Sequence, residues 1–268
     1  MIKHSIELAT TNTAYWIVVN KGKIKLNSNG EIPYGNFNQL TLATEPEQVC
    51  LLGTLGGEDC YLVVDYDQVT DDMHLVTPRE LLPQGDEVFA LAARATQVAL
   101  FLQTHRFCGQ CGCAMRLVNW ELAVLCHKCG HRCYPRIAPC VLIAVQRPGQ
   151  ILLARSSRHK IGHFSILAGF VESAETLEHA AKREVKEEVG IEITNLRYVG
   201  SQPWPFPHSL MAGFIADYVS GDIVCQPEEI EEAYWYDIDK LPLIPAIETL
   251  SGLMIRQVQQ KMANKKAT

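Results

Sequence analysis

Residues 169–191 read GFVESAETLEHAAKREVKEEVGI, and this stretch predicts an amphipathic helix over 177–189. Apolar residues recur every four positions and would form one buried face, at Leu177, Ala181 and Val185. Thr176 suits the N-cap, because its hydroxyl can accept a hydrogen bond from a backbone N–H of the first turn. Gly190 suits the C-terminal end, because glycine adopts the left-handed conformation without steric cost. The stretch therefore predicts a helix with defined ends and one buried face.

Acidic residues occupy a second face of this predicted helix. They are spaced i, i+3 and i+4, which makes them neighbours on a helix surface: Glu184, Glu187 and Glu188. Carboxylates one turn apart, at ~6 Å, repel by about 3 kcal/mol at an effective dielectric constant of about 20. A hard cation that prefers oxygen ligands, such as Mg²⁺ or Mn²⁺, relieves this repulsion. The alternative is a solvated acidic face without a metal; the flanking glycine, glutamate and arginine favour the metal site.

The same stretch resembles the Nudix box, G-x5-E-x7-R-E-U-x-E-E-x-G-U, in which U is aliphatic. It matches every fixed position, at Gly169, Glu175, Arg183, Glu184, Val185, Glu187, Glu188, Gly190 and Ile191. The resemblance implies the Nudix fold, an α-β-α arrangement with a mixed sheet between helices. It also implies metal-dependent hydrolysis of a diphosphate. One minor departure is Ala174, where many relatives have glycine.

The resemblance further implies which residues hold the catalytic metal. The box supplies the catalytic and metal-binding carboxylates, which are Glu184, Glu187 and Glu188. The backbone carbonyl before the box glycine, here Ala168, often adds a ligand. A carboxylate from a later loop is also usual, and Glu229 is the candidate, although the other glutamates of 227–232 leave this choice open. Arg183 is expected to orient a glutamate rather than to contact substrate.

Cysteines cluster ahead of this region, with six of the ten lying between positions 108 and 133. Two C-x2-C pairs can direct four thiolates at one ion: Cys108, Cys111, Cys126 and Cys129. A zinc ion closed by four thiolates has no open position, so it stabilises structure. Residues 120–125 are predicted to form a strand between the two pairs. Cys113, Cys133, His127 and His131 are expected to be bystanders, and the sequence leaves their participation open.

Residues 201–209 read SQPWPFPHS. Alternating prolines predict a stiff, extended segment in which Trp204 and Phe206 project to the same side. Rigid aromatic rings beside a phosphate site suit stacking on a flat base. The alternative is a structural loop with two core aromatics.

This loop, following a Nudix box and a four-cysteine ribbon, resembles the NADH pyrophosphatase family, also known as NAD-capped RNA hydrolases. The resemblance implies a homodimer that needs Mg²⁺ or Mn²⁺ and cleaves NAD(H) to NMN(H) and AMP. Bacterial members also remove NAD caps from RNA, releasing NMN and leaving a 5′-monophosphate. The implied substrate-binding residues are Arg79, Glu121, Tyr134, Phe170, Gln202, Pro203, Trp204, Pro205, Phe206, Pro207, His208, Ser209 and Ser251.

Composition agrees with an ordinary globular protein, with 47% hydrophobic and 20% charged residues. We expect an N-terminal α+β domain over 1–103, a zinc ribbon over 104–136 and a Nudix hydrolase domain over 137–268. A net charge of −6 argues against a broad surface for bulk nucleic acid. No membrane span or export signal is visible, which predicts a cytoplasmic protein. Two other functions stay open: hydrolysis of another nucleoside diphosphate such as ADP-ribose, and a non-catalytic nucleic-acid-binding protein.

Overall fold

The structure is a computed structural model and describes residues 13–37, 49–64, 74–157 and 160–266. The chain divides into two compact units. The first comprises 1–136 together with 205–208, and the second comprises 137–204 and 209–268. No helix among the described residues is long and apolar enough to span a membrane.

The first unit contains a six-stranded mixed sheet. Its strands are β1 (Thr13–Asn20), β2 (Lys23–Leu26), β3 (Tyr34–Asn36), β4 (Val49–Leu55), β5 (Glu58–Val64) and β6 (His74–Val76). Their order is β4-β5-β1-β2-β6, with β3 also paired to β1, and β1 runs parallel to β5. Because side chains alternate along a strand, β1 contributes Ile17 and Val19 to one core cluster and Trp16 and Val18 to another.

A helix and a small sheet complete the first unit. After a 3-10 helix (Pro78–Gln84), α1 (Asp86–Thr104) buries Ala92, Ala95 and Ala99 in the same cluster as Ile17. The small sheet has the order β7-β8-β9, with β7 at Arg116–Leu117, β8 at Val124–Leu125 and β9 at Arg132–Cys133. The predicted strand over 120–125 is therefore wrong in its first four residues. Only the last two pair with a neighbouring strand, because residues 118–123 form the connection between β7 and β8, closed by a hydrogen bond from the Val118 N–H to the Ala123 carbonyl at 3.0 Å.

The second unit is built on another six-stranded mixed sheet. Its strands are β10 (Ala138–Arg147), β11 (Gln150–Arg155), β12 (Leu167–Phe170), β13 (Glu192–Trp204), β14 (Ser209–Ser220) and β15 (Glu232–Asp237). Their order is β13-β14-β10-β11-β15, with β12 paired to β10. β10 and β14 are parallel, and the other pairs are antiparallel.

One helix packs on each face of this second sheet. On β10, Val141 and Ile143 lie in a core cluster with residues of α2 (Leu177–Val189). The alternate residues Leu142 and Ala144 lie in a cluster with residues of α3 (Leu250–Lys266). A strand buried on both faces reads as a continuous apolar run, as β10 does. The predicted mixed sheet between helices is confirmed.

The segment after β13 differs from the extended conformation predicted for it. Trp204 pairs with Ser209 in the antiparallel β13–β14 ladder, so the chain must reverse direction within 205–208. These four residues form a turn that includes a cis Phe206–Pro207 bond. The prolines therefore stiffen a tight hairpin connection, and the predicted common orientation of Trp204 and Phe206, which assumed an extended strand, does not follow.

Candidate active site

Helix α2 carries the acidic residues, and its ends are those predicted. The Thr176 hydroxyl accepts a hydrogen bond from the His179 N–H at 3.2 Å. Gly190 ends the helix in the left-handed conformation, with φ of 77°. The apolar face is buried at Ala181 and Val185. The helix is thus held at both ends and along one face, which fixes where its carboxylates point.

Three carboxylates meet beside α2. Glu184, Glu188 and Glu229 each offer a carboxylate oxygen, and these oxygens lie within 4.8 Å of one another. Glu184 and Glu188 are only 8% and 5% exposed, whereas Glu229 is exposed on the loop before β15. Burial, followed by the charges of Glu184 and Glu229, raises the pKa of Glu188 to about 8. A cation among these groups would relieve that unfavourable burial of negative charge.

The chemistry of this cluster fits a divalent cation. Glu188 Oε2 is fully buried, and the structure shows no hydrogen-bond partner for it among the described residues. A buried carboxylate oxygen without a partner is costly unless a proton or a cation binds it. Three oxygen donors of this kind suit Mg²⁺ or Mn²⁺ better than a thiophilic ion.

Glu187 lies outside this cluster. It is 53% exposed and its Oε2 accepts a hydrogen bond from Arg183 Nη1 at 2.9 Å. On the helix surface Glu187 and Arg183 are i and i+4 neighbours, so the ion pair forms locally. The structure therefore brings together two of the three predicted box glutamates, with Glu229 as the third carboxylate.

Arg183 connects several residues of the box, in agreement with its predicted orienting role. Its guanidinium donates to both oxygens of Glu175 at 2.8 Å, to Glu184 at 2.9 Å and to the Phe170 carbonyl at 2.9 Å. The hydrogen bonds that Arg183 donates to Glu175 lower the pKa of Glu175 to about 2. Sequence reasoning gave Glu175 no role. Its position eight residues before Arg183 was the available signal, since that spacing reaches back across the helix N-terminus.

The residues around Ala168 approach the carboxylates through the backbone. Ala168 lies in β12, and its backbone N–H hydrogen-bonds to Glu188, which partly offsets the raised pKa of that carboxyl. Phe170, two residues later, is 57% exposed. The Phe170 side chain thus presents an apolar surface while its carbonyl is held by Arg183.

The four predicted zinc ligands come together in the first unit. The sulfurs of Cys108, Cys111, Cys126 and Cys129 lie within 4.8 Å of one another. The two C-x2-C turns are alike: Gly112 N–H bonds to the Cys108 carbonyl at 2.8 Å, and Gly130 N–H to the Cys126 carbonyl at 2.9 Å. A backbone hydrogen bond from Cys129 lowers the pKa of the Cys126 thiol, whereas burial and the neighbouring sulfurs raise the pKa of the Cys129 thiol. Four thiolates converging in this way fit a structural zinc ion.

The four bystander candidates lie outside the four-sulfur group in the part of the chain that the structure describes; they are Cys113, Cys133, His127 and His131. Cys113 and His131 occupy equivalent positions, because their backbone carbonyls accept the N–H groups of Cys108 and Cys126. Cys133 Sγ lies 3.2 Å from His131 Nε2.

Two predicted substrate residues of the ribbon form a network with each other. The Tyr134 hydroxyl donates to Glu121 Oε2 at 3.3 Å, and Arg132 forms an ion pair with Glu121 Oε1 at 2.9 Å. The Trp120 indole N–H also donates to Glu121, at 3.2 Å. Tyr134 and Trp120 are about half exposed. Glu121 therefore orders two aromatic rings on the ribbon surface.

The predicted loop residues have different environments. The Gln202 side-chain amide donates to the Glu248 carbonyl at 2.9 Å and accepts from Leu250 N–H at 2.8 Å, which ties β13 to the start of α3. Within the first unit, the Arg79 guanidinium lies 5.5 Å from the centre of the Phe206 ring. The other predicted substrate-binding residues in and around the loop differ in exposure, since some are buried and others are exposed. They are Pro203, Trp204, Pro205, Pro207, His208, Ser209 and Ser251.

Known proteins resemble both parts of the chain. The NUDIX domain family matches residues 135–257, and the NADH pyrophosphatase zinc ribbon domain matches residues 103–134. The NAD-capped RNA hydrolase NudC of Edwardsiella ictaluri is 43% identical over 249 residues, covering 93% of this chain and 94% of that protein. The NAD-capped RNA hydrolase NudC of Citrobacter koseri is 46% identical, with 90% and 91% covered. Among solved structures, a NUDIX hydrolase from Nitrosomonas europaea has a TM-score of 0.48 at 21% identity, covering 60% of this chain and 93% of that one.

Proposed function

Because the chain belongs to the NAD-capped RNA hydrolase family of Nudix enzymes, we propose that it hydrolyses the diphosphate bond of NAD(H). Water adds across the P–O–P linkage, and the products are NMN(H) and AMP. On NAD-capped RNA the same reaction releases NMN and leaves a 5′-monophosphate RNA. The family predicted from residues 169–191 and 201–209 is confirmed.

The observation that carries this proposal is the three-carboxylate cluster with its partnerless buried oxygen. Glu184 and Glu188 are buried side by side, and Glu229 approaches them from the loop before β15. We propose that these residues hold Mg²⁺ or Mn²⁺, with the Ala168 carbonyl as a further ligand. When bound, the cation supplies positive charge that offsets the negative charge of the diphosphate.

The residues around the cluster set the geometry of the reaction. Arg183 holds Glu184 and Glu187, so neither carboxylate has to be ordered when substrate binds. Glu187 is proposed as an additional ligand or as a group that faces substrate, because its exposure leaves it accessible. Retention of the whole box argues for catalysis over the non-catalytic alternative.

Substrate recognition is proposed for the residues carried over from the family resemblance. Exposed aromatic rings suit stacking on a flat base. Two such rings, Trp120 and Tyr134, donate hydrogen bonds to Glu121, and a third, Phe170, is exposed beside the box glycine. Gln202 is occupied by backbone groups, so its contribution is proposed to be indirect. We also propose the division into three domains, a structural role for zinc, a homodimer and a cytoplasmic location.

Chromatography of reaction products tests the proposed function. NADH, ADP-ribose and NAD-capped RNA are each incubated with the protein and Mn²⁺. We expect NMNH and AMP from NADH, and NMN with 5′-monophosphate RNA from capped RNA. Turnover of ADP-ribose alone would favour hydrolysis of another nucleoside diphosphate. No turnover of any substrate would favour a non-catalytic nucleic-acid-binding protein.

A further inference from the structure

Arg155, at the end of β11, is a charged residue that is only 8% exposed. A buried guanidinium needs anionic partners to offset its loss of hydration. Its Nε donates to Glu232 Oε1 at 3.0 Å, and its terminal nitrogens contact the carboxylates of Glu231 and Glu232. The Arg155 carbonyl also accepts a hydrogen bond from Glu231 N–H, at 2.9 Å. One residue thus holds the main chain and both side chains of 231–232.

These contacts lie directly after the loop that carries Glu229. Gln226 N–H bonds to the Glu188 carbonyl at 2.9 Å, which attaches the start of this loop to α2. The Gln226 carbonyl then accepts from Glu229 N–H at 3.1 Å and from Ile230 N–H at 2.9 Å, which closes a turn. Ile230 is 6% exposed and packs in the core beneath the helix. The turn bearing Glu229 is therefore anchored by α2 before it and by Arg155 after it.

We propose that Arg155 is a positioning residue that holds Glu229 at the metal site. The acidic run 227–232 contains four glutamates, and Arg155 engages the last two of them. The carboxylates of Glu231 and Glu232 are thereby held by Arg155 of β11. The carboxylate of Glu229 instead lies with those of Glu184 and Glu188. Arg155 in this way keeps Glu231 and Glu232 away from the cation and fixes the chain just after Glu229. The inference rests on the proposed function, because it assigns a role toward the same metal.

Loss of the anchor is expected to weaken cation binding rather than to abolish it. With the ion pairs removed, the turn would have to be ordered at the moment of binding, and that ordering costs free energy. Groups that orient metal ligands typically change affinity by about 10- to 100-fold when removed. We expect an effect near the lower end, about tenfold, because the Gln226 hydrogen bonds and the buried Ile230 stay in place.

Binding of Mn²⁺ to the full-length, zinc-loaded protein tests the proposal. Free Mn²⁺ is measured by electron paramagnetic resonance during titration, without substrate. Arg155→Gln is expected to bind Mn²⁺ about tenfold more weakly than wild type. Glu231→Gln combined with Glu232→Gln cuts the same ion pairs from the other side and is expected to match it. Adding Arg155→Gln to that pair should weaken binding no further, because interacting residues give non-additive effects.

A matched control is Arg197→Gln in the same unit. Arg197 forms an ion pair with Asp217 at 2.9 Å in the β13–β14 ladder. Asp217 pairs with Gln146 of β10, whereas Phe170 pairs with Cys140 of the same strand. The ion pair is thus separated from Phe170 by six residues of β10. This variant is expected to lose stability and to keep wild-type Mn²⁺ affinity. If Arg155→Gln fails to fold, the variant of the two partly exposed glutamates carries the same test.

The outcomes separate this inference from the proposed function. Wild-type Mn²⁺ affinity in Arg155→Gln or in the double glutamate variant would overturn the positioning role alone. Equal weakening by Arg197→Gln would also overturn it, because the effect would then follow from general loss of stability. A wild-type protein that neither binds Mn²⁺ nor hydrolyses NADH would overturn both proposals.

Discussion

The carboxylate of Glu184 lies directly against the backbone of Gly169. A Cβ placed on Gly169 would stand 1.8 Å from the Glu184 carboxyl carbon and 2.1 Å from each carboxyl oxygen. No heavy atoms approach so closely without a bond, so a side chain at 169 and the present position of Glu184 exclude each other. The first glycine of the box therefore exists to let a buried carboxylate reach the cluster.

Gly169→Ala is expected to displace Glu184 and to lower kcat/KM for NADH by about a hundredfold, since a displacement of about 1 Å can cost that much. Gly200→Ala in β13 is the matched control, because a Cβ there meets nothing within 4 Å. Steady-state kinetics on both variants provides the measurement. A Gly169→Ala enzyme as active as Gly200→Ala would show that Glu184 need not occupy its present position.

Glu188→Gln is expected to abolish turnover without lowering the melting temperature of the metal-free protein. The substitution removes a proposed ligand, and it also removes the repulsion that Glu184 and Glu229 exert on a buried carboxylate. Glu187→Gln is the comparison, because Glu187 is exposed and lies outside the cluster. Kinetics and thermal unfolding of the two variants are measured together. Equal losses of activity would contradict the ranking of ligands drawn from the geometry.

Helix α2 shows how far local chemistry carries prediction. Its bounds, its N-cap Thr176 and its C-terminal Gly190 all agree with the sequence-based expectation, because capping depends on residues within one turn. The four zinc cysteines could likewise be predicted from the sequence, since each C-x2-C pair can form a turn that points its two sulfurs at one ion. Family resemblance, rather than spacing, pointed to Glu229.

Long-range pairing explains what the sequence did not reveal. Arg155 and Glu232 are 77 residues apart, and they meet only because β11 pairs with β15. The single arginine at the end of the apolar run 151–154 indicates a buried cation, but the sequence does not indicate which residue pairs with it. Likewise the turn at 205–208 follows from the β13–β14 ladder, which forces a reversal that the proline pattern alone did not indicate.

Zinc removal is expected to unfold the ribbon before it affects chemistry. Cys126→Ser removes one of four converging sulfurs and should reduce bound zinc and lower the melting temperature by about 10 °C or more. Cys113→Ser is the control, because Cys113 lies outside the four-sulfur group. Zinc content and thermal unfolding are measured on both. Activity lost in Cys126→Ser at an unchanged melting temperature would overturn the structural role.

Asp217 is expected to make the second unit sensitive to acid. Hydrogen bonds and charge from Arg197 hold the pKa of Asp217 well below its usual value, which is about 3.9 in an unfolded chain. A depressed folded-state pKa adds stability above about pH 4 that is lost as the pH falls below it. Both side chains are about one-third exposed, so the contribution is only about 1 kcal/mol.

Asp217→Asn should therefore lower the free energy of unfolding at pH 7, and the difference from wild type should shrink as the pH falls from 4 to 2. Denaturant unfolding at several pH values provides the measurement. The Asp217→Asn, Arg197→Gln double variant should lose little beyond the single variants, because both cut one pair. A difference that is constant with pH would mean that the ion pair is not its source.

Diffraction from crystals soaked with Mn²⁺ and a non-cleavable NAD analogue tests the central claim most directly. The account predicts an anomalous peak between the carboxylates of Glu184, Glu188 and Glu229, with the diphosphate against it. Carboxylates turned apart into solvent, with no anomalous density among them, would contradict it.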